Sequence, residues 1–225
     1  MTAHPVSVLV AAAGVGSRLG LGPKAFLELA GRSLLARVTD TALALTDDVH
    51  AAIPQGFLDL ARAQVDGRVV LLEGGASRQE TFTRLLPFAR GEIVLLLDIA
   101  RPLLSVALCR RVIDAAARTG AAGAFVPALV PCARVDTDGR VIEAVAASDY
   151  RLPQMPQAFR REVLVSVLER AAQQGLQRQT IWQLTVELGV PLQAVPGEPD
   201  NIKITEPNDW RLAQQIVAGH NQDTP

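Results

Sequence analysis

The chain has 225 residues, a mass of 24.0 kDa and a formal net charge of −1 at pH 7. Apolar residues make up 49% and charged residues 20%, which excludes a disordered chain and provides for one substantial core. Since there is no basic excess, we expect a small-molecule partner and no nucleic acid. The longest apolar runs have the length of strands, well short of the ~20 residues of a membrane span, so we expect no membrane association.

The two cysteines, Cys109 and Cys132, occur in no metal-binding or redox spacing. A reducing, cytoplasmic setting accounts for them without a special role. The first residues, "MTAHPVSVLVAAAG", lack the basic start and long apolar stretch of a signal peptide, so we do not expect export.

Short apolar runs alternate with longer amphipathic segments, the pattern of β-α-β units on a mainly parallel sheet. The pattern predicts strands at 6–12, 49–53, 69–75, 92–102, 121–130 and 192–197. It predicts helices at 32–45, 57–65, 77–86, 105–119, 160–174, 180–188 and 207–218, the third capped by Ser77. We therefore expect one Rossmann-like α/β domain over 1–225, with helices flanking the sheet.

Residues 131–157 break this alternation. The stretch "VDTDGRVIEAV" has the pattern of a hairpin, with Asp138 and Gly139 at its turn. We expect this range to form a β-arm that protrudes from the sheet. The last residues, "GHNQDTP", are expected to be a loose tail.

The first predicted strand leads into "AAAGVGSRLGLGPKAF", residues 11–26. A dinucleotide-binding loop requires G-x-G-x-x-G, but here the third glycine, Gly20, comes one place late. The second strand ends in "AAIPQG", without the acid that holds a ribose. The sequence around Lys24 does not fit a P-loop either.

This loop nevertheless suits phosphate chemistry. Small residues leave backbone N–H groups free to surround phosphate oxygens, and Arg18 and Lys24 add two positive charges. Two cations favour binding of a triphosphate, and they favour a reaction in which the phosphorus centre gains negative charge during nucleophilic attack. The alternative is a solvated basic turn between a strand and a helix.

At this point a family resemblance is evident. The stretch "LVAAAGVGSRLGLGPKAFLELAGRSLL" resembles the N-terminal signature of sugar-phosphate nucleotidyltransferases. It is most similar to the 2-C-methyl-D-erythritol 4-phosphate cytidylyltransferase family, whose signature runs P-A-A-G-x-G-x-R and then P-K-Q. Three further segments follow in the family's order: "LEGGASRQET", "LLLDIARPLL" and "EPDNIKITEPNDW".

The resemblance implies a Rossmann-like fold, Mg²⁺ as cofactor and a homodimer formed through the arm. Members of this family transfer CMP from CTP to an acceptor phosphate and release pyrophosphate. By resemblance, the nucleotide phosphates would be surrounded by Ala12, Ala13, Gly14, Gly16 and Arg18. Lys24 and Lys203 would stabilise charge near the α-phosphate.

The segment "GGASRQET" corresponds to the family's G-G-x-E-R-x-x-S, which contacts the cytosine. The resemblance thus assigns base contacts to Gly75, Ala76 and Thr81, although the stretch alone also fits a glycine turn into a helix. It assigns Mg²⁺ binding to Asp98, with help from Asp200. A purely structural pair between Asp98 and Arg101 is the alternative for that carboxylate.

The acceptor side departs from the family pattern. In the family's P-V-x-D-T-x-K, the positions of Asp, Thr and Lys are held here by Val130, Pro131 and Ala133. The arginine upstream of Q-T-P-Q is replaced by Ala147, and the threonine of Q-T-P-Q by Met155. The acidic cluster is replaced by Thr180 and Ile181. Each change removes a polar contact, and phosphate recognition then needs other cations. Arg151 is the nearest substitute for the lost arginine, and Arg134 and Arg140 flank the hairpin.

Three functions fit these observations. The first is transfer of CMP from CTP to 2-C-methyl-D-erythritol 4-phosphate in isoprenoid precursor synthesis. The second is the same transfer to another polyol or sugar phosphate. The third is a non-catalytic nucleotide-binding paralogue, against which the presence of Arg18, Lys24, Asp98 and Lys203 argues.

Overall fold

The computed structural model describes residues 4–14, 16 and 19–222. Its strands are β1 (Val6–Ala11), β2 (Glu28–Leu29), β3 (Arg32–Ser33), β4 (Val49–Ile53), β5 (Val70–Glu73), β6 (Ile93–Asp98), β7 (Ala121–Pro127), β8 (Cys132–Val135), β9 (Val141–Val145), β10 (Arg151–Arg160) and β11 (Gln193–Pro196). Its helices are α1 (Leu34–Leu43), α2 (Leu58–Arg62), α3 (Arg78–Leu85), α4 (Val106–Thr119), α5 (Arg161–Gln173), α6 (Ile181–Glu187) and α7 (Pro207–Gln222).

Seven strands form one central sheet in the order β11-β7-β10-β6-β1-β4-β5. Strand β10 runs antiparallel to both of its neighbours, and the other neighbouring pairs are parallel. The predicted Rossmann-like α/β fold with a mainly parallel sheet is confirmed.

The sheet is covered by helices on both faces, which explains why its central strands are predominantly apolar. Every residue of β4 and of β6 is buried. Successive residues of β1 point to opposite faces, so Val8 and Val10 pack in one core with α1, α4 and α7, whereas Leu9 packs in the other with α3, α5 and α6.

Serine residues cap three of the helices. Ser77 accepts a hydrogen bond from the Glu80 N–H at 3.0 Å, as predicted. Ser33 and Ser105 do the same for α1 and α4.

The predicted arm is partly wrong. Strands β8 and β9 form the expected hairpin as a separate two-stranded sheet, with Gly139 at its turn (φ +81°). Residues 151–157, however, belong to β10 inside the central sheet. The prolines in "RLPQMPQAFR" hid this strand, because proline cannot donate a ladder hydrogen bond. The pairing of β10 with β7 indeed shifts register between Pro153 and Gln157.

Several helix boundaries also differ from the prediction, and α2 is the shorter Leu58–Arg62 in place of 57–65. Helix α1 begins at Leu34, because Arg32 and Ser33 pair with β2. Helix α7 continues to Gln222, so the start of the predicted tail is helical, and residues 223–225 lie outside the described residues.

Candidate active site

The candidate site lies where β1 and β6 end. Ala11 and Asp98 are paired in register at the carboxyl ends of these parallel neighbours, and residues of the loop after β1 line the cavity beside them. Ligands bind at such a point in open α/β sheets, because the strand order reverses there: the chain continues from β1 toward β4 on one side and from β6 toward β7 on the other, which leaves a crevice between the two connections. The cavity has a volume of about 310 Å³. Its lining consists of Ala11, Ala13, Gly14, Gly16, Lys24, Gly75, Ala76, Ser77, Arg78, Thr81, Asp98, Ile99, Ala100 and Lys203.

The glycine loop after β1 forms one wall and is folded back on itself. Gly16 has a φ of +71°, and a Cβ there would lie 2.3 Å from the carbonyl oxygen of Gly22. Only glycine fits this combination of backbone angle and close approach. The fold-back brings Lys24 to the cavity, where its Nζ donates to the carbonyl oxygen of Ile204 at 2.7 Å.

The second wall is the turn from β5 into α3, and side chains of α3 fix its shape. The Gly75 N–H donates to Thr81 Oγ1 at 3.1 Å, and the Ala76 N–H donates to Glu80 Oε2 at 2.8 Å. Thr81 is buried and donates its own hydroxyl to the Ser77 carbonyl. The turn is therefore held in one conformation by its own helix, which preorganises it for a ligand.

Asp98 is buried, with a side chain only 6% exposed. Its Oδ1 accepts the Ala100 N–H at 3.0 Å, and its Oδ2 lies 2.5 Å from an Nη of Arg78. The alternative of a side-chain pair with Arg101 is wrong. The Arg101 guanidinium instead donates to the carbonyl oxygens of Asn201 and Pro153, and burial lowers its pKa to about 10.

Lys203 belongs to a segment that crosses the end of β6, where the Ile204 N–H donates to the Ala100 carbonyl at 2.8 Å. Desolvation lowers the pKa of the Lys203 ammonium group. Asp98 opposes that shift, whereas Arg78, Arg101 and Lys24 reinforce it. Lys24 and Lys203 are the only lysines in the sequence, and both line the cavity.

These residues fit a magnesium ion that arrives with phosphate groups. Asp98 is the one carboxylate among the described residues that line the cavity. No group of three or more His, Cys, Asp and Glu side chains within residues 4–14, 16 and 19–222 could hold a metal by itself. Mg²⁺ commonly uses one or two carboxylates and takes its remaining ligands from phosphates and water.

Nine of the predicted site residues line the cavity: Ala13, Gly14, Gly16, Lys24, Gly75, Ala76, Thr81, Asp98 and Lys203. Ala12 does not, because it is buried and its N–H donates to the Ala52 carbonyl within the sheet. Asp200 is exposed and also lies outside the lining. Arg18 lies outside the described residues. The chemical roles assigned to all of these residues stay predictions.

Arg151 does not line the cavity either. It is exposed at the start of β10, and its guanidinium donates to the carbonyl oxygens of Ser148 and Tyr150 at 2.9 Å each. Its proposed contact with the acceptor stays a prediction.

The departures from the family pattern fall into two groups. Val130, Pro131 and Ala133 are exposed near the start of the hairpin, and Ala147 and Thr180 are half-buried. Met155 and Ile181 are buried and belong to one hydrophobic core. At those two positions the chain gains apolar packing in place of polar groups.

Sequence reasoning missed Arg78, which lines the cavity and binds Asp98. The available signal was the arginine of G-G-x-E-R-x-x-S, which this chain retains in "GGASRQET". Ser77, which stands at the glutamate position of that pattern, lines the cavity and caps α3.

Within the part of the chain that the structure describes, none of the helices combines the length and the apolar character needed to cross a membrane.

The fold and the cavity define the class: an α/β protein of the nucleotidyltransferase kind, with a cavity at the carboxyl ends of its central strands. Residues 6–219 match the family model described as IspD: 2-C-methyl-D-erythritol 4-phosphate cytidylyltransferase. The chain belongs to this family.

Individual relatives agree with the family match. The 2-C-methyl-D-erythritol 4-phosphate cytidylyltransferase of Thermus thermophilus is 41% identical over 213 residues, covering 94% of this chain and 97% of that protein. The protein of the same description from Deinococcus radiodurans is 38% identical, covering 95% of this chain and 90% of the relative. A crystal structure of the Thermus thermophilus enzyme superimposes with a TM-score of 0.80 at 36% identity, covering 95% of this chain and 99% of that one.

Proposed function

We propose that this protein transfers CMP from CTP to 2-C-methyl-D-erythritol 4-phosphate and releases pyrophosphate. The observation that carries the proposal is one cavity in which two glycine-containing loops meet Lys24, Lys203 and Asp98. Family membership supports CTP and the methylerythritol phosphate as substrates.

In this reaction an oxygen of the acceptor phosphate forms a bond to the α-phosphorus of CTP. The bond from that phosphorus to the bridging oxygen breaks, and pyrophosphate leaves. Lys24 and Lys203 provide positive charge where the α-phosphoryl oxygens gain negative charge, and the loops that contain Gly14 and Gly75 orient the nucleotide.

Asp98 is the residue that would hold Mg²⁺ against the phosphates, and the ion would neutralise phosphate charge. The same carboxylate already carries an arginine counter-ion, so its charge is compensated before any metal binds.

The apolar residues Met155 and Ile181 favour a second candidate, transfer of CMP to a different polyol or sugar phosphate. Both positions hold polar groups in the family pattern, and apolar side chains there cannot donate to an acceptor phosphate. The nucleotide half of the proposal is the same in both cases.

We also propose a homodimer that forms through the hairpin, acting in the cytoplasm. Around this hairpin Val135, Val141, Ile142, Tyr150 and Leu152 are large apolar residues exposed to solvent, and burying them would favour a second copy. Light scattering at micromolar concentration should give twice the monomer mass, and a monomer would contradict the dimer. The free thiols of Cys109 and Cys132 are in keeping with a reducing compartment.

The decisive experiment measures pyrophosphate release from CTP, UTP, ATP and GTP across a panel of acceptor phosphates at varied Mg²⁺. We expect release only with CTP and methylerythritol phosphate. Activity with another acceptor would support the second candidate. CTP binding without transfer to any acceptor would identify a non-catalytic paralogue. Asp98→Asn should raise the Mg²⁺ concentration needed for half-maximal activity.

A further inference from the structure

Arg78 occupies one carboxylate oxygen of Asp98, the residue that would hold the metal ion. It is the first residue of α3, and its Nη lies 2.5 Å from Asp98 Oδ2. The other carboxylate oxygen already accepts the Ala100 N–H at 3.0 Å. With side chains 25% and 6% exposed, the pair is shielded from water, so this contact is stronger than a surface ion pair.

A guanidinium and a divalent cation that approach the same buried carboxylate repel each other, and both compete for the lone pairs of its two oxygens. The cations of this cavity also repel one another: desolvation is the main cause of the lowered pKa of Lys203, and Arg78, Arg101 and Lys24 add to it. The contact with Arg78 therefore opposes metal binding at Asp98, and moving the guanidinium away would favour it.

We propose that Arg78 is a built-in counter-ion of Asp98 that Mg²⁺ displaces when it arrives with CTP, after which the released guanidinium binds a phosphate group of the nucleotide. The inference rests on the proposed function, since it requires CTP and Mg²⁺ at this cavity. It assigns Arg78 a role in coupling the metal to the nucleotide.

The backbone around Arg78 supports a side-chain exchange without movement of the helix. Ser77 caps α3, Thr81 and Glu80 hold the preceding turn, and the other Nη of Arg78 is 3.5 Å from the Gln179 carbonyl oxygen. Only the guanidinium needs to rotate. Its planar donors suit a phosphate as well as a carboxylate.

Isothermal titration calorimetry of CTP at a series of Mg²⁺ concentrations tests the exchange without turnover. We expect R78Q to lower the Mg²⁺ concentration that half-saturates CTP binding several-fold, because the metal no longer competes with an arginine. At saturating Mg²⁺ the same variant should bind CTP roughly tenfold more weakly, because one charge-assisted contact is lost. R78K retains the charge and should lie between R78Q and the wild type. R62Q, which removes an exposed arginine paired with Asp59 on α2, is the matched control and should behave as wild type.

If R78Q and R78K both match R62Q in metal requirement, or if CTP affinity falls with no change in that requirement, the exchange is refuted while the proposed function stands. If the wild type binds no CTP at any Mg²⁺ concentration, the proposed function fails together with this inference. Circular dichroism establishes whether each variant is folded. If R78Q is not folded, the comparison of R78K with the wild type tests the exchange.

Discussion

The side chain of Gln154, on β10, is hydrogen-bonded at both ends to the segment that contains Asn201 and leads to Lys203. Its Nε2 donates to the carbonyl oxygens of Glu198 and Asn201 at 2.9 and 3.3 Å, and its Oε1 accepts the Glu198 N–H at 3.1 Å. Asn201 is fully buried, and its Nδ2 donates to the Met155 carbonyl at 2.6 Å. These bonds attach the lysine-bearing segment to the central sheet.

We expect Gln154→Leu to lower the free energy of unfolding by about 2–3 kcal/mol, because buried carbonyl groups lose their donor. The turnover number should fall more than the KM for CTP rises, since Lys203 loses its fixed position. Urea unfolding and steady-state kinetics measure the two effects. Gln193→Leu, on the edge strand β11, is the matched control, because its exposed amide donates to the adjacent Ala194 carbonyl, outside the lysine-bearing segment. Equal stability of the two variants would contradict the prediction.

Lys24→Met should reduce turnover far more than CTP binding, because its charge matters most when the α-phosphoryl group gains negative charge. The variant also loses the bond to the Ile204 carbonyl, so we expect a modest loss of stability in addition. Rapid-quench turnover and calorimetric CTP binding separate these quantities. Equal losses in CTP binding and in turnover would show that Lys24 binds a phosphate group without a catalytic role.

The elements that could be predicted from sequence are those whose signal is local. Strand β4 has the bounds that the sequence predicts, Val49–Ile53, because a short apolar run between polar segments needs no distant partner to be recognised. The cap at Ser77 is equally local, since a serine and the N–H three residues later decide it. The two glycine loops lie at one cavity because they directly follow β1 and β5, whereas Lys24 and Lys203 reach it through a folded-back loop and a segment that crosses the end of β6.

What escaped prediction depends on contacts between distant residues. Strand β10 inserts antiparallel between β6 and β7, and nothing in its own proline-containing sequence specifies those neighbours. Asp98 precedes Arg101 by three residues and follows Arg78 by twenty, so the sequence favoured the wrong partner. The packing of α3 against the sheet brings Arg78, and not Arg101, into contact with the Asp98 carboxylate.

The lowered pKa of Lys203 predicts its reactivity. A lowered pKa means that more of the amine is neutral at any given pH, so labelling by an amine reagent should rise at lower pH than for an ordinary lysine of pKa 10.5. Mass spectrometry after brief labelling between about pH 7 and 10 follows Lys203 and Lys24 separately, with an exposed lysine in a model peptide as reference. CTP with Mg²⁺ should protect both lysines. A Lys203 profile that coincides with the reference would show that neither burial nor the neighbouring cations depress this pKa in solution.

The last prediction concerns the acceptor, because this chain lacks the polar residues that would contact it in the family pattern. A phosphate dianion in a partly closed site needs a guanidinium or ammonium group for compensation, and Arg151 is the arginine nearest in sequence to the one that is missing. Its present bonds, to the carbonyl oxygens of Ser148 and Tyr150, are exposed and local, so the side chain can exchange them for a phosphate at small cost.

We therefore expect Arg151→Ala to raise the KM for the acceptor roughly tenfold or more while the KM for CTP changes little, because the nucleotide cavity does not include this residue. Arg118→Ala, an exposed arginine on α4, is the matched control and should alter neither constant. An unchanged acceptor KM in Arg151→Ala would indicate that Arg134 or Arg140 binds the acceptor phosphate instead. The KM values for the acceptor and for CTP would then be measured for alanine variants of those two arginines. A parallel rise of both KM values would instead indicate that β10 itself had been disturbed, since Arg151 opens the strand that carries Gln154 and Met155.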